Sequence, residues 1–248
     1  MHEIFNNRFS IEEKYLNYGF YTALGMLFSA FILIPLFAGQ AILKYSQTLS
    51  EPYSILIICL PPQLAMLAAM LLIMRFTGEG SINDKLWLKN WNNQYFKVCF
   101  ATVLVLVIVC VLVTVSFKAL LQSFDIKFSE PAIIRLALSC DLSSFIVIAF
   151  SAVVVAPVVE EILFRRVIFG FIAARSGIVP ALVLTSCMFA MIHDSGYQMP
   201  ALFLLGAAFQ LMFLRYHSLF PAMLLHCFNN LVAIIGIMIL RILGFTDL

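Results

Sequence analysis

The sequence predicts an all-α protein, a polytopic transmembrane helical bundle of about seven (seven to eight) spans. Hydrophobic residues make up 63% of the 248 residues and charged residues only 11%. Soluble domains carry about 45–50% apolar and about 25% charged residues. The apolar residues also gather in runs of about 20, the length at which a helix crosses a bilayer. We therefore expect an integral membrane protein whose surroundings are the lipid bilayer.

Seven apolar runs are long enough to be candidate spans. The polar N-terminal segment contains Glu3, Glu12 and Glu13, unlike a cleavable signal peptide, so we expect the first run to remain as a span. Only turn-forming residues in DSGYQMP separate the fifth run from the sixth. The predicted spans are residues 19–43, 53–74, 98–117, 144–172, 177–197, 199–214 and 219–240.

Two longer polar connections separate these spans. Residues 75–97 predict a solvated loop with Trp87 and Trp91 at the membrane interface. Residues 118–143 predict a short helix lying on the membrane or dipping into it.

Charge and cysteine content exclude some functions. A net charge of +2 is too small to indicate a nucleic-acid partner. Six cysteines without a C-x-x-C pair favour free, buried thiols.

The basic residues predict the orientation. With seven spans, ten lie on the side of the N-terminus, including Arg165, Arg166 and Arg175, and five lie on the other side. The positive-inside rule then places the N-terminus in the cytoplasm. The small size and short loops favour the inner membrane of a bacterium.

Charged residues inside the fourth span are the first functional signal. In EEILFR, Glu161 and Arg165 are four residues apart, so they share a helix face and can pair. Glu160 is rotated by about 100° from Glu161 and has no basic residue four positions later, so it is the free carboxylate. Alternatively, both acids lie near the headgroups while the arginines extend to the interface.

Two more polar pairs follow on later spans. In FAMIH, Phe189 shares a face with His193, and Asp194 follows as a possible partner for the second ring nitrogen or as a turn residue. In HCFNN, His226 and Asn230 share a face. Each pair alone could be a structural hydrogen bond between helices.

Together, an acid, two imidazoles and an amide are what hydrolysis inside a membrane requires. Glu160 can take a proton from water, and one histidine can position that water or bind a metal. The second histidine and the amide can donate to an oxyanion. Neither H-E-x-x-H nor G-x-S-x-G is present, so the common zinc-helix and serine-elbow motifs are absent.

Helix lengths predict the depths of these groups. Counted from the connection near residues 173–177, Glu160 and His193 lie at similar depths, roughly 22 Å and 21 Å along their helices. His226 comes out about 9 Å shallower. We expect all four polar residues to meet in one water-accessible cavity reached from the cytoplasmic side.

The three motifs, in this order on successive apolar segments, resemble the CPBP family of intramembrane proteases. That family includes CAAX prenyl endopeptidases, Abi proteins linked to bacteriocin immunity and lysostaphin-resistance-like proteins. The resemblance covers roughly residues 140–235. It divides the chain into N-terminal transmembrane helices and loops, 1–139, and a catalytic helical core, 140–248, within one membrane domain.

The resemblance implies roles for the motif residues. Glu160 and His193 would activate water, His226 and Asn230 would stabilise the oxyanion or help to bind a metal, and Glu161 with Arg165 would support them. Glu160, His193 and His226 could also hold a divalent metal such as zinc, so the cofactor, a metal or none, stays open.

Three functions remain as hypotheses at this point. The first is an intramembrane endopeptidase, glutamate-dependent or a metalloprotease, that cuts a membrane-associated or lipidated peptide or protein. The second is a non-catalytic immunity or scaffold protein of the same fold. The third is a proton-coupled carrier that uses Glu160 as a relay, but no inverted repeat supports it.

Overall fold

The computed structural model describes residues 25, 49–76, 81–88, 92–128, 130–193 and 196–245. These residues form helices and turns, without any strand in the ranges described. We number the helices in chain order. They are α1 (Glu51–Phe76), α2 (Ile82–Leu86), α3 (Asn93–Ser123), α4 (Ala132–Ser139), α5 (Leu142–Ser176), α6 (Ile178–Met191), α7 (Met199–Tyr216) and α8 (Leu219–Ile242).

Five of these helices, α1, α3, α5, α7 and α8, are long and apolar enough to cross a membrane. The predicted count of seven spans is therefore not confirmed. The span predicted at 19–43 lies outside the described residues except for Gly25. The span predicted at 177–197 is α6, whose 14 residues reach about 21 Å, short of a hydrocarbon core of about 30 Å.

Local sequence explains where several helices begin and end. The Asn92 side chain accepts a hydrogen bond from Gln94 N at the start of α3, and Asp141 accepts one from Ser144 N at the start of α5. Gly177, with φ of 86°, makes the sharp turn between α5 and α6, a conformation that suits glycine. The Ser218 side chain accepts a hydrogen bond from Phe220 N at the start of α8.

α5 is not a regular α-helix along its whole length. Ser151–Val155 and Ile162–Ile168 are π-helical, and the short α-helical stretch between them, Ala156–Glu161, carries both acids. π turns are rare and occur frequently at functional sites, because they shift the side chains around the helix axis.

The core lies around the second half of α5. Residues 161–170 are all buried. Apolar side chains from α1 and α3 join them in one cluster, among them Met70, Met74 and Cys99. The N-terminal helices thus pack against the same core as α5 to α8.

The connection after α1 differs from the predicted solvated loop. Trp87 stacks on Phe213 with ring centroids 5.4 Å apart, and the Arg166 guanidinium lies 4.7 Å from the Trp87 ring centre. Trp91 lies outside the described residues.

Two arginines counted toward the predicted orientation lie inside the bundle. Arg165 is 1% exposed and Arg166 is fully buried, so neither extends to the headgroups. The alternative in which the arginines extend to the interface is wrong, and the charge asymmetry of the connections is smaller than predicted. The cytoplasmic location of the N-terminus stays a prediction.

Candidate active site

The three motifs meet at Glu160. Its Oε2 atom lies 3.9 Å from Nε2 of His193 and 3.9 Å from Nε2 of His226. Both distances exceed a direct hydrogen bond and are within reach through one water. Oε2 has no hydrogen-bond partner among the described residues, which is costly for a buried carboxylate oxygen.

A cavity of about 320 Å³ surrounds these atoms. Glu160, His193, His226 and Asn230 all line it. The structure therefore brings together the four residues that the sequence nominated on three predicted spans.

His193 lies just after the last residue of α6. Its Nδ1 atom is 2.6 Å from the carbonyl oxygen of Phe189, and the Phe189 ring centre is 4.5 Å from the imidazole. A carbonyl only accepts, so Nδ1 carries a hydrogen, and Nε2 is the ring nitrogen that faces Glu160. Asp194, the expected partner, lies outside the described residues.

His226 is held by the second acid of the motif. Its Nδ1 donates to Oε1 of Glu161 at 2.9 Å, so Nε2 is the ring nitrogen that faces Glu160. The ring stacks on Phe209 with centroids 4.5 Å apart. Both imidazoles are thus fixed through Nδ1 and present Nε2 to the same carboxylate.

Glu161 forms the predicted ion pair with Arg165. Oε2 lies 2.9 Å from Nε of Arg165, and both side chains are buried, at 0% and 1% exposure. Arg165 also donates to the Gly206 carbonyl at 3.2 Å, and its guanidinium carbon lies 5.2 Å from the Phe189 ring centre. One buried carboxylate therefore anchors both Arg165 and His226.

Asn230 contacts the first π-helical turn of α5. Its Nδ2 donates to the carbonyl of Ala152 at 2.8 Å, and its Oδ1 accepts from Asn229 at 3.2 Å. One of the two N–H groups of Asn230 is therefore already used. The predicted oxyanion role rests on the second.

The predicted 9 Å depth mismatch of His226 is absent because the connections at this end of the bundle lie at different depths. Ser218 and Leu219 are fully buried, and Leu219 N donates to the carbonyl of Trp87. Trp87 is level with Arg166, which lies six residues, or about 9 Å, beyond Glu160. His226 lies seven residues into α8, about 10 Å, and so reaches the level of Glu160.

One segment of the chain, which contains these residues, matches a known protein family. Residues 142–232 match the family model described as type II CAAX prenyl endopeptidase Rce1-like. This segment is therefore similar to the CAAX proteases. No curated protein and no solved structure gives a significant match to the chain.

The family-matched segment, residues 142–232, contains all four nominated residues, yet it does not form the whole cavity. Cys59 and Gln63 from α1 also line it, as do Ser151 and Asn229 from within the segment. None of these four residues was among the predicted site residues. Gln63 carried a signal, an uncharged polar residue after Pro61 and Pro62 inside an apolar run, but no motif linked it to the later helices.

From Glu160, the cavity extends along α5 toward α4. Its α5 residues lie before Glu160 in sequence, namely Ile148, Ser151, Ala152 and Ala156, and Ile133 of α4 completes that end. The next ten residues, 161–170, are buried and close the other direction. These residues place the cavity on the side of Glu160 that faces away from Gly177, and access from the cytoplasmic side stays a prediction.

The donors around Glu160 do not fit a metal ion in this conformation. Two donors on one tetrahedral zinc lie ~3.4 Å apart, closer than the 3.9 Å between Oε2 of Glu160 and each Nε2. Over the described ranges, no group of three or more His, Cys, Asp or Glu side chains is placed to hold a metal.

Proposed function

We propose that this protein is an intramembrane endopeptidase that hydrolyses a peptide bond of a membrane-associated or lipidated peptide or protein. The observation that supports the proposal is the position of the Glu160 carboxylate, whose Oε2 lies 3.9 Å from two imidazole Nε2 atoms in the wall of one cavity. Glu161, in contrast, is fully buried against Arg165 and His226 and does not line the cavity.

Glu160 is the general base of the proposed reaction. A water between its carboxylate and Nε2 of His193 donates hydrogen bonds to both, because the neutral His193 ring presents a lone pair there. As the water oxygen attacks the peptide carbonyl carbon, its proton passes to Glu160.

His226 and Asn230 stabilise the tetrahedral intermediate. In this proposal His226 is an imidazolium before the water attacks and keeps both of its protons throughout the reaction. Its Nε2 donates to the oxyanion, while Nδ1 keeps its bond to the Glu161 carboxylate, which stabilises the imidazolium. The second N–H of Asn230 supplies another donor. Glu160 then returns its proton to the leaving amine, which restores the carboxylate.

The function is tested with purified protein in liposomes and a library of membrane-associated peptides, half of them lipidated. We expect wild type to cleave a subset, and Glu160→Gln, which keeps the size but removes the base, to lose at least about 10²-fold in rate. Asn93→Asp, an exposed substitution at the start of α3, is the control. Absence of cleavage by wild type would contradict the proposal and favour a non-catalytic immunity or scaffold protein, and equal cleavage by Glu160→Gln would exclude Glu160 as the base.

Metal dependence is measured in the same preparation. Elemental analysis of the purified protein, with cleavage assayed before and after a chelator, separates a glutamate-dependent protease from a metalloprotease. The proposed mechanism expects unchanged cleavage after chelation.

A further inference from the structure

Gln63 brings a polar group from α1, outside the family-matched segment, to the wall of the cavity. Its Nε2 donates to Oγ of Ser151 at 3.0 Å. Its Oε1 is buried and has no hydrogen-bond partner among the described residues. Gln63, like Ser151, lines the cavity that holds Glu160.

A purely structural role leaves this oxygen unexplained. Buried amide carbonyls nearly always accept a hydrogen bond, because losing water without a replacement costs free energy. The neighbouring wall at Cys59 and Ile148 is largely apolar, and a methionine of similar length would fill the same space without that cost. An unsatisfied acceptor in a ligand-sized cavity indicates a donor that arrives with the substrate.

The position of Gln63 predicts which donor this is. Ser151 lies nine residues before Glu160 on α5, about 13 Å along the helix axis. An extended peptide advances about 3.3 Å per residue, so about four residues cover that distance. Every extended peptide carries backbone N–H groups at this spacing, whatever its side chains.

We propose that Oε1 of Gln63 accepts a hydrogen bond from a backbone N–H of an extended peptide substrate, about four residues from the scissile bond. This inference rests on the proposed endopeptidase function and adds the substrate class, an extended chain that reaches from Glu160 toward α4. Gln63 would bind the substrate, and a small rotation of its amide would bring Oε1 to the cavity surface.

The test removes one backbone N–H at a time. A library peptide that wild type cleaves is resynthesised with single amide-to-ester replacements at two to six residues on either side of the cleaved bond. With wild type, we expect one ester, three to five residues away, to lower kcat/KM about fivefold to tenfold, the range of one lost hydrogen bond. With Gln63→Met, the amide and that ester should be hydrolysed at equal rates.

Two further variants separate a direct contact from an effect on α5. Ser151→Ala removes the anchor of the Gln63 amide, and it should keep the preference for amide over ester even if its overall rate falls. Gln122→Met makes the same substitution at an exposed site on α3 and should match wild type. Melting temperatures in detergent confirm that each variant is folded.

Other outcomes overturn the inference. If Gln63→Met slows every peptide by one factor and the ester effect persists, Gln63 only supports α5. If no ester affects wild type, no backbone N–H is bound at this distance. If wild type cleaves no peptide, the proposed function fails and the inference fails with it, a result distinct from the first two.

Discussion

At the scale of residues, Glu160 and Glu161 are sequence neighbours in different environments. The Glu161 side chain is fully buried and contacts Arg165 and His226, whereas the Glu160 side chain is 21% exposed and lines the cavity. A rotation of about 100° per residue separates the two faces of α5. Glu161 therefore holds the site together, and Glu160 is left for chemistry.

We expect Glu161→Ala or Arg165→Ala to destabilise the fold by about 3–5 kcal/mol, because each leaves a buried charge without its partner. The double substitution should recover part of this loss. Recovery stays incomplete because His226 Nδ1 also loses its acceptor when Glu161 is removed. Melting temperatures in detergent check this, with Arg75→Ala at an exposed site as the control. Single variants that melt like wild type would contradict a buried pair.

At the scale of elements, the contact between α6 and α7 positions the aromatic wall of the site. A Cβ on Gly206 would lie 3.2 Å from the Ser186 backbone and 3.3 Å from Phe189 Cβ. The Gly206 carbonyl also accepts from Arg165. Only a residue without a side chain lets α7 approach α6 this closely.

Gly206→Ala should therefore destabilise the protein by about 1–3 kcal/mol through overpacking. It should also lower cleavage, because Phe189 contacts His193 and cannot move alone. Gly236→Ala on α8 is a matched control, since a Cβ there meets nothing within 4 Å and alanine favours the helix. Equal melting temperatures for the two variants would show that the α6–α7 contact adapts without cost.

The connection between α3 and α4 is held by Glu130, which accepts hydrogen bonds from the Tyr197 hydroxyl and the Lys118 ammonium. Burial raises the pKa of the Glu130 carboxyl, but these hydrogen bonds and the Lys118 charge outweigh burial and hold the pKa below its ordinary range. The folded state therefore favours the carboxylate, which joins this connection to the start of α7.

Since the folded pKa is lowered, Glu130 stabilises the fold above its ordinary pKa of about 4.3, and this contribution is lost as pH falls through the folded value. We expect Glu130→Gln to melt below wild type at pH 7 and the difference to shrink below about pH 4. Melting curves between pH 7 and pH 3 test this. A constant difference over that range would mean that Glu130 keeps its charge or contributes only packing.

At the scale of the whole molecule, the family-matched segment depends on helices outside it. Met70 and Met74 of α1 and Cys99 and Val103 of α3 are buried in the same cluster as α5. Gln63 supplies part of the cavity wall. The predicted boundary near residue 140 separates the part of the sequence that carries the motifs from the part that does not. Residues from both sides of it pack in one core.

We expect residues 140–248 expressed alone not to yield a folded protein, because removal of the first 139 residues exposes this core. Co-expression with residues 1–139 as a separate chain should restore a folded complex, measured as co-purification with a cooperative melting transition. A cooperative transition for residues 140–248 alone would show that α1 and α3 are dispensable.

The sequence by itself determined the fold class and the chemical groups of the site. An apolar content of 63% indicates a membrane bundle. Helix periodicity alone separates Glu160 from the Glu161–Arg165 pair, because i,i+4 spacing is a local property of any helix. The three motifs resemble those of a known family and predict four site residues, Glu160, His193, His226 and Asn230, from the sequence alone.

Only the tertiary structure decided how these groups meet and what else joins them. The predicted span at 177–197 is a helix of 14 residues, α6, because apolar composition does not reveal where a helix ends. The depth of His226 depends on Trp87 and Leu219, a contact between distant parts of the chain. The contact of Glu161 with His226 and the position of Gln63 in the cavity wall also depend on residues far apart in the sequence. No local pattern contains such contacts, since they arise only when separate helices pack.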